Sequence, residues 1–130
     1  MSFRDKPTLG RLNKELYKLK GRYNFNTIFN DDCIDIVIKT IISNKFVIIQ
    51  IRIPDNYPFK CPTIFLNGVN YFKILEEVSI KHKMTEMCLC CETVMCAYRW
   101  KPGIKIDDIL NEILKYSADI MCLLAVDEYD

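Results

Sequence analysis

Three runs rich in β-branched and aromatic residues, Tyr23 to Phe29, Cys33 to Ile41 and Phe46 to Ile53, are separated by the turn-forming stretches Asn30-Asp31-Asp32 and Ser43-Asn44-Lys45. Turn-forming connections this short leave no room for a crossover helix, so the runs must pair as an antiparallel meander. In the second run Cys33, Asp35, Val37 and Lys39 alternate with Ile34, Ile36, Ile38 and Thr40. Side chains of a strand point to opposite faces in turn, so one face of this sheet is apolar and must be covered while the other is wetter. A fourth strand is expected from Thr63 to Leu66, closed by Asn67-Gly68. The cover comes from helices. Leu9, Leu12, Leu16 and Leu19 recur at three- and four-residue intervals, with Arg11, Asn13, Lys14 and Lys18 on the other face and Gly21 as a stop. A last helix begins near Asp107 and Asp108, acidic residues suited to the positive end of a helix, and carries Ile109, Ile113, Ile120 and Leu124 almost to the terminus. Val69 to Ile80 fits either a short helix or an irregular segment. The fold class expected is α+β: an N-terminal helix, a four-stranded antiparallel meander, a cysteine-bearing loop and a C-terminal helix, in a single domain over residues 1–130.

A chain of 130 residues that is 50% hydrophobic supports one core and not two. Eighteen basic residues nearly balance seventeen acidic ones, so no global field points to nucleic acid or an anionic membrane, and protein partners are favoured. No apolar run reaches bilayer length, and Met1-Ser2-Phe3-Arg4-Asp5-Lys6-Pro7 lacks the apolar stretch of a signal peptide, so a cytoplasmic or nuclear location is expected. The seven cysteines are odd in number and four of them fall between positions 88 and 96, a poor layout for a secreted disulfide framework. Isoleucine, asparagine and lysine are plentiful and alanine and glycine scarce, the bias of an AT-rich genome such as those of large DNA viruses and some protists.

Motifs of nucleotide, phosphate or zinc-protease sites are missing: there is no Gly-x-Gly-x-x-Gly, phosphate loop or His-Glu-x-x-His. Asp31-Asp32 and Asp107-Asp108 are explained by a turn and a helix start. Cys88, Cys91 and Cys96, with His82 or Cys90, could supply four soft ligands to zinc, but a second Cys-x-x-Cys knuckle is lacking and the frame has core enough without metal. No metal and no cofactor is therefore assigned. Cys33, Cys61 and Cys122 are read as core or packing residues.

Tyr57-Pro58-Phe59-Lys60-Cys61-Pro62, then Cys88-Leu89-Cys90-Cys91, then Trp100-Lys101-Pro102 together resemble the frame of a ubiquitin-conjugating enzyme. Arg11-Leu12-Asn13-Lys14-Glu15-Leu16 is similar to that family's opening helix, and Ile106, Ile109, Leu110 and Ile113 fall where its next helix is apolar. The resemblance runs from about Leu9 to about Asp119. It implies that Cys88, followed by leucine as in the family, accepts ubiquitin or a ubiquitin-like modifier as a thioester and passes it to a lysine, with Cys91 the alternative nucleophile because its distance to Trp100 is nearer the usual one. Implied partners are the modifier, an activating enzyme and a ligase, the last meeting Phe59, Lys101 and Pro102. The chain departs from the family in a short second hairpin, in ending early, and in having Val78-Ser79-Ile80-Lys81-His82-Lys83 where His-Pro-Asn should stand. Lys81, His82 and Lys83 could favour the thiolate or act as donors, with a solvated basic loop as the alternative. The missing triplet argues against full activity. It keeps open a non-catalytic module of the same fold that binds ubiquitin or serves in assembly, for example as a virion component.

Overall fold

The computed structural model describes residues 7–42, 44–81, 93–96, 99–117 and 120. Helix α1 (Pro7–Leu19) leads into strands β1 (Phe25–Phe29), β2 (Cys33–Ile42), β3 (Lys45–Pro54), β4 (Thr63–Leu66) and β5 (Val69–Asn70), followed by helix α2 (Tyr71–Lys81) and helix α3 (Ile106–Lys115). The sheet is antiparallel throughout, in the order β1-β2-β3-β4-β5, so each strand pairs with its neighbour in sequence. The α+β class and the meander are as expected.

Turn chemistry sets the register. Asn30 donates its backbone N–H to Cys33 at 2.9 Å and closes the first hairpin. The second hairpin pairs Ile42 with Lys45, and Asn44 takes a left-handed φ of 65° there, a conformation asparagine tolerates better than most residues. Asn67 and Gly68, with φ of 49° and 83°, do more than close β4. They form a two-residue turn that sends the chain back as β5, pairing Leu66 with Val69. The sheet therefore has five strands rather than four. The Asn67 side chain also accepts a hydrogen bond from the Ile48 N–H at 2.8 Å, fixing this turn to β3.

The segment Val69 to Ile80, ambiguous in the sequence, resolves into β5 and α2. Asn70 accepts the Phe72 N–H at 2.9 Å on its side chain, satisfying one of the free donors at the start of α2. Tyr71, Ile74, Leu75 and Val78 then fall on one buried face at helical spacing. On the sheet Ile34, Ile36 and Ile38 of β2, Val47, Ile49, Ile51 and Ile53 of β3, and Ile64 and Leu66 of β4 point the same way. They form one apolar cluster with Leu12 and Leu19 of α1 and Ile106, Ile109, Leu110 and Ile113 of α3. Fully burying such a side chain is worth about 1.5–3 kcal/mol, so this single face supplies the stability of the frame. Helix α3 begins as the paired aspartates suggest: Asp108 accepts the Lys105 N–H at 2.9 Å. It runs to Lys115, and after a turn at Tyr116 both Ser117 and Ile120 are helical, with the Ile120 N–H bonded to the Tyr116 carbonyl at 3.0 Å and Ile120 buried. Leu124 lies outside the described residues.

Candidate functional site

Glu15 is a carboxylate inside the protein, 8% exposed on α1. It survives there because donors surround it. The Tyr57 hydroxyl donates to its two oxygens at 2.8 and 2.6 Å, the Ile106 N–H at 2.8 Å, and Arg11, one helical turn back, at 3.3 Å. The Ile106 amide belongs to the first turn of α3, whose positive end favours a negative charge. Arg11 reaches further, donating to the Ile104 carbonyl at 3.0 Å while its guanidinium lies 5.4 Å from the Tyr57 ring centroid. Burial, reinforced by the hydrogen bond to Glu15, holds the Tyr57 hydroxyl neutral far above its ordinary range.

The turn after β3 is tied to the Trp100 loop. Trp100 donates its indole N–H to the Pro58 carbonyl at 2.7 Å, and the Tyr57 and Trp100 rings sit 6.2 Å apart. The Tyr57-Pro58 peptide bond is cis. Phe59, next to Pro58, is 78% exposed, and Lys101 and Pro102, next to Trp100, are exposed as well. Three residues singled out as partner contacts thus flank one short hydrogen bond. Phe59 does not pack into the core.

A second, half-buried carboxylate anchors the segment after the cysteine cluster. Glu112 of α3 accepts the Thr93 hydroxyl at 2.6 Å, the Val94 N–H at 2.8 Å and the Tyr71 hydroxyl at 2.8 Å. Burial, and then Glu112 itself, push the Tyr71 hydroxyl well above the ordinary tyrosine range. Thr93 and Met95 are buried, and the carbonyl of Cys96 receives the N–H groups of Arg99 and Trp100, both at 2.8 Å. An open groove of about 480 Å³ runs beside this segment, lined by Val94, Arg99, Ile104, Asn111, Lys115 and others. Cys61 is half-buried, and its thiol donates to the Met95 carbonyl at 3.5 Å. Burial pushes that thiol up.

Cys88, Cys91 and His82 lie outside the described residues, as does Cys90. Among the described residues no three His, Cys, Asp or Glu side chains converge to hold a metal. Among them, too, every buried side-chain nitrogen or oxygen has a hydrogen-bond partner. The two carboxylate junctions had no role in the sequence reading. Glu15 breaks the pattern of α1 by facing inward among leucines, and Tyr57 and Tyr71 are the large core residues that carry a hydroxyl needing an acceptor. Those two signals were available, but what pairs with what depends on residues up to 91 positions apart.

Compared with protein-family models, curated proteins and solved structures, the chain shows no match to any of them. No helix among the described residues is long and apolar enough to cross a membrane. What the geometry defines is an α+β protein in which α1, α3 and the proline turn meet at the buried Glu15 carboxylate and α2, α3 and the Thr93 segment at the half-buried Glu112, beside an exposed Phe59-Lys101-Pro102 edge.

Proposed function

We propose that this chain is a reduced protein of the ubiquitin-conjugating type, with Cys88 carrying ubiquitin or a related modifier as a thioester. One observation supports it most. The segments that carry the resemblance, Arg11 to Leu16, Tyr57 to Lys60 and Trp100 to Ile106, converge on the Glu15 carboxylate and the Trp100–Pro58 hydrogen bond. A common frame expects these three sequence-distant segments to meet, and they do so at one junction.

In this reading the Cys88 thiolate attacks the carbonyl of the modifier's C-terminal thioester on the activating enzyme. A new C–S bond forms as the old one breaks and the activating enzyme's thiolate leaves. Later a neutral lysine amine attacks the same carbonyl, the C–N bond of an amide forms, the C–S bond breaks so that the Cys88 thiolate departs, and the amine's surplus proton passes to water or to that thiolate. Each step passes through an oxyanion, and losing one donor to such an oxyanion costs about 10²–10³ in rate. With Val78 to Lys83 in place of His-Pro-Asn, charging is retained and discharge is slow. A second reading, a non-catalytic module binding ubiquitin or an assembly partner such as a virion component, is favoured by that same absent triplet. Incubation with activating enzyme, ATP and ubiquitin separates them. The carrier reading expects a reductant-sensitive adduct that Cys88→Ala abolishes and Cys91→Ala spares; the reverse pattern moves the nucleophile to Cys91. No adduct on the native protein sinks the carrier reading and leaves the module.

A further inference from the structure

We propose that Cys61 and Cys96 are a disulfide-forming pair, joined when the protein meets hydrogen peroxide, so that the proline turn becomes covalently tied to the segment leading into Trp100. The two segments already lie against each other. The Cys61 thiol reaches the carbonyl of Met95, 34 residues away in sequence, and Cys96 is the next residue along. The Cys61 sulfur is 3.5 Å from the Met95 oxygen and a carbonyl oxygen lies about 2.8 Å from the following Cα, so that sulfur is at most about 6.3 Å from the Cys96 Cα, near enough for side-chain rotation to bring the two sulfurs together. The Trp100 indole bonded to Pro58 holds the same two segments a second time, a few residues on. Burial chiefly raises the pKa of the Cys61 thiol, and negative charge on Cys96 adds to the rise, an effect of a close neighbour. Both sulfurs belong to half-buried residues, within reach of a small oxidant.

The chemistry balances with peroxide as oxidant. The Cys96 thiolate attacks one peroxide oxygen, an S–O bond forms, the O–O bond breaks and the hydroxide that leaves takes up a proton to become water. The Cys61 sulfur then attacks the sulfenic sulfur of Cys96; the S–S bond forms, the S–O bond breaks, and the departing hydroxide carries off the Cys61 proton as a second water. Cys61, raised by burial, suits the resolving role and not the first attack. Its position is also where the family resemblance has proline, so this pairing is a property of this chain.

The full-length reduced protein, titrated with hydrogen peroxide and mapped without reduction, tests it. The first bridge to appear should link the Cys61 and Cys96 peptides, lighter than their sum by two hydrogens, and dithiothreitol should reverse it. Closing a loop of this length should raise Tm by about 10 °C in the oxidised protein. Cys61→Ser keeps a donor toward the Met95 oxygen, so it and Cys96→Ser should fold normally while losing both the bridge and the rise in Tm. Cys61 remaining open to alkylation after Cys96 has been oxidised, or Cys96 bridging first to Cys88, Cys90 or Cys91, overturns the proposal. No modifier or activating enzyme enters this experiment, so its failure is independent of thioester charging.

Discussion

Glu15 accepts hydrogen bonds from a side chain of the proline turn, a backbone amide of α3 and a side chain of its own helix. A buried carboxylate without such donors would protonate or unfold its surroundings, so its worth is measured by what its removal leaves behind. Glu15→Ala deprives the Tyr57 hydroxyl, the Ile106 amide and Arg11 of this acceptor at once, and should cost about 3–5 kcal/mol in urea unfolding. Glu15→Gln keeps the shape and one acceptor oxygen but loses the charge, and should cost less, about 1–2 kcal/mol. An Ala variant within about 0.5 kcal/mol of the native protein would show that the junction is ornamental. Glu112 makes the matching connection to Tyr71, Thr93 and Val94. Residues of this kind are hard to see in a sequence. Glu15 lies between Leu12 and Leu16, where a charged residue on an amphipathic helix is ordinarily read as facing solvent, and nothing local names its partner.

At the scale of elements, periodicity carried most of the information. The alternation in β2 and the short turns specified the meander, because local side-chain direction and turn geometry decide antiparallel pairing. The paired Asp107 and Asp108 followed by Ile109 and Ile113 likewise pointed to α3. Between Val69 and Ile80 the same logic was ambiguous: Val69 and Asn70 extend the sheet for two residues before Tyr71 begins a helix, so two periods share one short apolar stretch. The candidate site was legible only in part. Phe59, Lys101 and Pro102 emerge exposed on two adjoining turns, but their neighbourhood depends on the Trp100 indole finding the Pro58 carbonyl. Since all three are exposed, Phe59→Ala and Lys101→Glu should leave Tm nearly unchanged, within the roughly 0.5 kcal/mol typical of surface substitutions. Binding to a cognate ligase or assembly partner should weaken about tenfold for Phe59→Ala, as expected of an aromatic anchor, when measured by calorimetry. Unfolding of Phe59→Ala, or unchanged affinity in both variants, would remove this edge from the partner surface.

For the molecule as a whole, two tyrosine hydroxyls held neutral inside the fold make stability depend on alkaline pH. Burial is the main cause for both, followed by the adjoining carboxylates, Glu15 for Tyr57 and Glu112 for Tyr71. Above the ordinary tyrosine value of 10.0 the unfolded chain gives up protons that the folded chain keeps. Their contribution is therefore complete below that pH and lost as pH rises, by up to about 1.4 kcal/mol per pH unit for each tyrosine. Urea midpoints collected upward from about pH 10 should fall accordingly, and Tyr71→Phe should remove about half of this tyrosine slope. An unchanged slope in that variant would mean that its hydroxyl ionises in the folded state. The sheet, with every strand beside its sequence neighbour, and the Glu15 junction, which joins residues 91 positions apart, also belong to different moments of folding. Hairpins close small loops quickly, whereas a contact across most of the chain must first meet the entropy of a long loop. The meander is thus expected to form before the carboxylate junction, so that in a chain still lacking α3 the proline turn and the first helix have no common partner to join them.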